Sequence, residues 1–159
     1  DYSPRGMVKL MHDTSVYSGG KISTHRYIDV GQYSELFAKE NINAWNYICV
    51  REHGTLYSGG DVKCGTSFEA KTFSTIYSCG SIKATLSNIK IRDNSTVFCA
   101  GFNRCARINI YFSVKVHLAA NIEITSVCII IVVIWILNQI TLCISDKARF
   151  IVFVNKGAL

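Results

Sequence analysis

The sequence is poor in proline and in charge. It has one Pro among 159 residues, which excludes proline-rich linkers, and its 18% of charged residues falls below the usual quarter. At 49% apolar residues it is too hydrophobic for a disordered tail. Catalytic signatures are missing as well: no G-x-S-x-G, H-E-x-x-H, Walker loop or G-x-G-x-x-G fingerprint occurs. His12, His25, His53 and His117 are scattered and read as solvated side chains rather than acid sensors. Cys49-x3-His53 with Cys64 lacks a fourth ligand and a C-x2-C knuckle, so a disulfide or a solvated loop is a better reading than a metal site. The net charge of +6 is dispersed, without an arginine-rich run, which suits a solvated surface rather than a nucleic-acid track. No enzyme, metal, cofactor or direct nucleic-acid contact is expected.

Cysteine is plentiful instead, with seven residues, more than a cytosolic domain of this size usually carries. Cys49, Cys64, Cys79, Cys99 and Cys105 are the disulfide candidates. Their odd number leaves one free or paired with another chain, and the spacings do not fix the connectivity. Cys128 and Cys143 lie in an apolar run and read as small hydrophobes, Cys143 also as a palmitoylation candidate.

That run, Ile124–Ile144, holds 16 apolar residues in 21 and no charge. As a helix it would be about 31 Å long, close to a bilayer's hydrocarbon core. The expectation is therefore a transmembrane helix over 122–144, preceded by an ectodomain over 1–121 and followed by a short cytosolic tail over 145–159. Asp146, Lys147 and Arg149 after the span weakly favour a cytosolic C-terminus, and the one-sided cysteine distribution agrees. A start at Asp1, with no initiator Met, reads as a chain whose signal peptide has been removed. Asn94-Ser95-Thr96 is the only sequon and follows the polar break Arg92-Asp93, making Asn94 the glycosylation candidate.

The ectodomain reads as mainly β, of α+β class, and disulfide-bonded. Arg107–Leu118 alternates apolar and polar throughout, a strong strand signal. Its apolar face, with Ile108, Ile110, Phe112, Val114 and Val116, is the candidate partner interface. Thr72–Tyr77 and Ser81–Ile91 also read as strands. Gly31–Asn41 is the expected helix, with Ser34 as cap, Glu35 four residues before Lys39, and Leu36 and Phe37 buried. There is an internal echo: Ser15-Val-Tyr-Ser-Gly-Gly20 recurs as Thr55-Leu-Tyr-Ser-Gly-Gly60 and Thr75-Ile-Tyr-Ser-Cys-Gly80. Strand-then-turn chemistry, with Gly supplying positive φ, predicts recurrent hairpins. A solenoid with rungs of about 20 residues is the alternative, set back by the missing copy near residue 37.

From Ser58 to the end of the apolar run, about half of its length, the chain resembles Gn, the smaller envelope glycoprotein of bunyaviruses, in its orthobunyavirus form. The matching residues are Ser58-Gly59, Cys79-x2-Ile82-Lys83-x-Thr85, Phe98-x-Ala100-x-Phe102, Cys105-x-Arg107, and Asn121-Ile-Glu-Ile124 ahead of the apolar run. Leu86 and Gly101 stand where the family often has Cys, and Ser145–Leu159 lacks the family's zinc fingers, so the short Gn of plant emaraviruses is the nearest form. The resemblance implies a virion envelope glycoprotein in host ER and Golgi membranes, with a lumenal N-terminus. It implies pairing with the fusion glycoprotein Gc in assembly, Golgi transit and host entry, with the bilayer as a further partner and the tail as a contact for the nucleoprotein. The competing reading is a single-pass adhesion or receptor-like surface protein with short β-repeats.

Overall fold

A computed structural model describes residues 5–103, 107–110, 114–118, 129–132 and 143–144. These residues form strands, turns and bends, with no helix among them. The chain winds into a parallel β-solenoid whose described strands stack in three sheets, two of seven strands and one of five. The first sheet stacks Val8–Lys9, Ile28–Val30, Ile48–Val50, Phe68–Ala70, Asn88–Ile91, Arg107–Ile110 and Ile129–Val132. The second stacks Ser15–Ser18, Glu35–Ala38, Thr55–Ser58, Thr75–Ser78, Thr96–Cys99, Lys115–Leu118 and Cys143–Ile144. The third stacks Ile22–Thr24, Ile42–Ala44, Val62–Cys64, Ser81–Ala84 and Gly101–Asn103. The register follows the echo: Ile28 lies beside Ile48, Leu36 beside Leu56, and Ile42 beside Val62.

Strand alternation explains why this sequence closes into such a coil. Inward residues alternate along the strands and are apolar or small: the first and third of three-residue strands such as Ile42–Ala44, and the second and fourth of four-residue strands such as Thr55–Ser58. Ile28, Ile48 and Phe68 from the first sheet, Leu56 and Ile76 from the second, and Ile22, Ile42 and Ile82 from the third are all 0% exposed. Full burial of each contributes roughly 1.5–3 kcal/mol, and the three inner faces share one continuous core. Buried hydroxyls are satisfied across rungs. Ser58 Oγ donates to the Glu40 carbonyl at 2.9 Å, Ser78 Oγ to the Gly60 carbonyl at 2.9 Å, and Ser95 Oγ to the Lys71 carbonyl at 2.7 Å. No buried polar side-chain atom among the described residues lacks a partner.

Several expectations are corrected. The fold is all-β rather than α+β, and its neighbours pair in parallel rather than as hairpins. The helix expected over 31–41 is the strand Glu35–Ala38, because Leu36 and Ala38 face the core while Glu35 and Phe37 face out, a period of two. Ser34 caps no helix. It is buried in the turn, takes the Thr14 N–H at 3.0 Å and donates to the Met11 carbonyl. The apolar run assigned to a transmembrane helix contains Ile129–Val132, in parallel register with Arg107–Ile110, and Cys143–Ile144, in register with His117–Leu118. Among the described residues no helix is long and apolar enough to cross a membrane. A β-branched run fits an inner strand as well as a bilayer.

The long strand read over Arg107–Leu118 is two strands, Arg107–Ile110 and Lys115–Leu118, in different sheets. Ser81–Ile91 likewise divides into Ser81–Ala84 and Asn88–Ile91, and Thr72–Tyr77 is a turn leading into Thr75–Ser78. The tail over 145–159 lies outside the described residues.

Candidate binding face

The turn between the first and second sheets recurs in five rungs, and each time one residue takes a positive φ. These are Asp13 (54°), Tyr33 (54°), His53 (55°), Phe73 (59°) and Asn94 (56°). No described glycine does so, so the Gly-Gly pairs do not serve as positive-φ turns. Gly59 instead allows close approach, since a Cβ there would lie 1.9 Å from the Lys39 carbonyl oxygen. Asp and Asn, and to a lesser degree His, tolerate the left-handed region, but Tyr and Phe do not favour it. Their conformation is held by what their rings meet. Tyr33 stacks on His53 at 4.7 Å between centroids and 7° between planes, and His53 on Phe73 at 5.0 Å and 5°. His12 closes the column edge-on against Tyr33 at 5.3 Å.

A second aromatic column runs along the outer face of the second sheet, where alternation carries Tyr17, Phe37, Tyr57, Tyr77 and Phe98 outward. Phe37 and Tyr57 stack at 4.5 Å, and Tyr77 and Phe98 at 4.8 Å. Tyr17–Phe37 and Tyr57–Tyr77 are tilted and wider, at 5.9 and 6.3 Å. Between the two columns runs a polar one, Ser15, Glu35, Thr55, Thr75 and Thr96, in register from rung to rung. Glu35 accepts the Tyr17 hydroxyl at 2.7 Å, and this bond raises the Tyr17 hydroxyl above its ordinary pKa. Through these five rungs none of the three columns contains Lys or Arg; in the next rung Lys115 is in register with Thr96 and His117 with Phe98. Tyr17 (68% exposed), Tyr33 and Phe73 are open to solvent.

The other outer faces are charged and knitted together. Arg51 holds Asp29 through two bonds of 2.8 Å, Nε to Oδ1 and Nη2 to Oδ2, and Arg92 Nε meets Glu69 Oε1 at 2.7 Å. On the third sheet Asp61 accepts Lys83 Nζ at 2.8 Å and the Ser81 N–H at 2.8 Å, with Lys63 Nζ at 3.3 Å. Burial pushes the Asp61 carboxyl up, but these donors outweigh it and hold the group below its ordinary value. A further feature lies at the corner after the third sheet. Ser23, Thr24, His25, Asn43, Ala44 and Trp45 line a shallow cavity of about 250 Å³.

The residues singled out in the sequence are dispersed. Cys49, Cys64, Cys79 and Cys99 are free and form no disulfide; Cys105 lies outside the described residues. Cys64 and Cys99 face the core, and burial pushes both thiols up to about 12; burial likewise pushes half-buried Cys49 up to about 11. Cys79 is exposed at a corner, 3.9 Å from the Tyr57 hydroxyl. Cys49, His53 and Cys64 sit on the first sheet, the turn and the third sheet, and no three metal-binding side chains gather among the described residues. Asn94 is exposed at the fifth turn.

Of the partner-interface residues, Ile108 and Val114 are each 4% exposed and belong to the chain's own core. Ile110 lies in register with Ile91, and Val116 with Val97, both core positions, while Phe112 lies outside the described residues. The aromatic columns are what the sequence reading missed. The Tyr of each echo marks one column, but the other depends on a backbone angle that composition does not reveal. Comparison of the chain with protein-family models, with curated proteins and with solved structures returns no match.

Proposed function

We propose that the chain is a non-enzymatic binding protein of the adhesion or receptor-like kind, whose solenoid presents the aromatic–hydroxyl face of its second sheet to a protein partner. One observation carries this reading: five consecutive rungs place aromatic side chains on that face, around a Ser/Glu/Thr column and without a cation. Protein-recognition surfaces favour Tyr and Phe and avoid Lys, and Tyr with small hydroxyl residues supplies contact area at little entropic cost. Ring stacking has already ordered these side chains, so docking loses little rotamer freedom.

The Gn-like reading also invokes a protein partner, Gc, and this face would be its docking surface. That reading, however, needs a membrane anchor directly after Asn121-Ile-Glu-Ile124, and the strand Ile129–Val132 occupies the run that was to supply it. Several of its motif residues also have a rung role: Ile82 and Phe102 are core positions in register with each other. The repeat-protein reading is therefore the better supported of the two.

A photocrosslinking amino acid placed at Tyr77, on the aromatic face, tests the proposal against one at Lys83, on the third sheet. In cells producing the full-length gene product, the Tyr77 probe should give a discrete protein adduct and the Lys83 probe none. Tyr17→Ser with Tyr57→Ser should abolish the adduct. Equal labelling from both positions, or from neither, would overturn the reading.

A further inference from the structure

We infer that the corner cavity beside Trp45 is a subsite for one uncharged hexose ring of a glycan, a site separate from the aromatic face and independent of its protein partner. In the two columns Tyr33–His53, His53–Phe73, Phe37–Tyr57 and Tyr77–Phe98 lie nearly parallel, so the faces these pairs share are taken up by one another. Trp45 differs. It is 74% exposed and joins none of the ring contacts of the described residues. At the same position of the next rung stands Gly65, whose backbone approaches so closely that a Cβ would lie 1.8 Å from the Trp45 carbonyl oxygen. The next rung therefore presents no side chain at the position in register with Trp45.

The lining is otherwise hydrogen-bonding, from Ser23, Thr24, Asn43 and His25, with no Lys, Arg, Asp or Glu. Asn43 Nδ2 donates to Ser23 Oγ at 3.4 Å, which turns the two groups toward each other and leaves the amide oxygen and the second N–H for a ligand. A cavity of about 250 Å³ is below the range for drug-sized ligands but accommodates one sugar ring. The chemistry matches a hexose with equatorial hydroxyls. Its axial C–H groups, slightly positive, pack on the negative face of the indole, while its hydroxyls and ring substituents meet the Asn43 amide and the Ser23 hydroxyl. An anionic sugar or a phosphate finds no fixed cation here.

Titration of the full chain with chitotetraose and with cellotetraose, followed by calorimetry and by tryptophan emission, tests the assignment. Saturable binding of at least one of them is expected. Trp45→Phe should weaken it several-fold, Trp45→Ala at least tenfold, and Asn43→Ala by an intermediate factor, with Tyr77→Ser on the other face unchanged. The emission change should vanish in Trp45→Phe, where Trp135 is the remaining indole. Absence of saturable binding to both oligosaccharides would overturn the site. So would binding by a folded Trp45→Ala protein that equals the parent's.

Discussion

At Tyr33, His53 and Phe73 two opposed effects meet on single residues. A non-glycine residue in the left-handed region costs about 1–2 kcal/mol, whereas each parallel ring pair returns about 0.5–1.5 kcal/mol. His53 has two such neighbours, Tyr33 and Phe73. His53→Ala should therefore destabilise the protein by about 1–3 kcal/mol, since it keeps the strained φ and loses both stacks. His53→Asn should lie about 1 kcal/mol above the Ala variant, because Asn tolerates the angle. Urea denaturation of the three proteins checks the ordering, and an Asn variant no better than Ala would mean that the backbone there carries no strain.

The buried thiols give a pH test at the same scale. Cys64 and Cys99 ionise near 12 when folded, against an ordinary value of 9.0. Above pH 9 the unfolded chain sheds these protons while the folded chain retains them, so stability is full below that point and falls as pH climbs toward 12. By about pH 10 each buried thiol should account for about 1 kcal/mol of the loss. Cys64→Ala and Cys99→Ala should each flatten the fall between about pH 8 and 10. An identical slope in the variants would assign it to other groups. In the native protein a thiol reagent should modify Cys79 first, since it alone of the four is exposed. Asn94, exposed at its turn, should carry a glycan in a secretory host; unchanged gel mobility after endoglycosidase, matching Asn94→Gln, would count against secretion or against use of the sequon.

Among elements, alternation and corner length do different work. The rung containing Phe68 is followed by its neighbour after 21 residues rather than 20, since Phe68 pairs with Ile89 while Ile48 pairs with Phe68. The third sheet keeps a spacing of 20 up to Ala84, so the extra residue falls in the corner around Leu86, which is 74% exposed. Corners thus absorb changes that strands cannot. One glycine inserted between Thr66 and Ser67 should leave the thermal midpoint nearly unchanged. The same insertion within Ile42–Ala44 would turn the rest of that strand inside out and should abolish cooperative unfolding. Calorimetry distinguishes them, and equal damage from both would contradict the corner argument.

The same distinction explains what could be read from the sequence. The 20-residue echo was visible because Tyr, Ser and Gly recur together. The absent copy is present in structure as Glu35–Ala38, with Phe37 replacing Tyr, Ala38 replacing Ser and Lys39-Glu40 replacing Gly-Gly. What each rung requires is an inward apolar residue and a small one two places later; the letters of the motif are secondary. Glu35 and Lys39 fit helical spacing only by coincidence, and a chain of Ile and Val bears no local mark separating bilayer from inner strand. Parallel pairing was illegible because the partner of each strand lies a full rung away.

For the whole molecule, a rung touches the rungs before and after it, so stability should be distributed along the axis. Among the described strands Val8–Lys9 pairs on one side, with Ile28–Val30, whereas Ile48–Val50 lies between two strands. Hydrogen exchange should be slowest at Ile48–Val50 and Phe68–Ala70 and should quicken toward Val8–Lys9. Leu56→Ala, in the middle, should cost about 2–5 kcal/mol. Uniform protection along residues 5–103 would show instead that the coil opens as a single block.

The parallel pairing of successive rungs also bears on how the chain reaches this state. The strand at residue 48 finds its first partner, at residue 28, already synthesised, and the second, at residue 68, follows it. Closing each loop of about 20 residues carries nearly the same entropic charge as closing the one before, and among residues 5–103 no strand pairing spans more than 21 residues. Growth can therefore keep pace with the ribosome, one coil annealing onto the last as it emerges. Gaining or losing a whole coil during descent would leave every other coil's neighbours of the same kind as before.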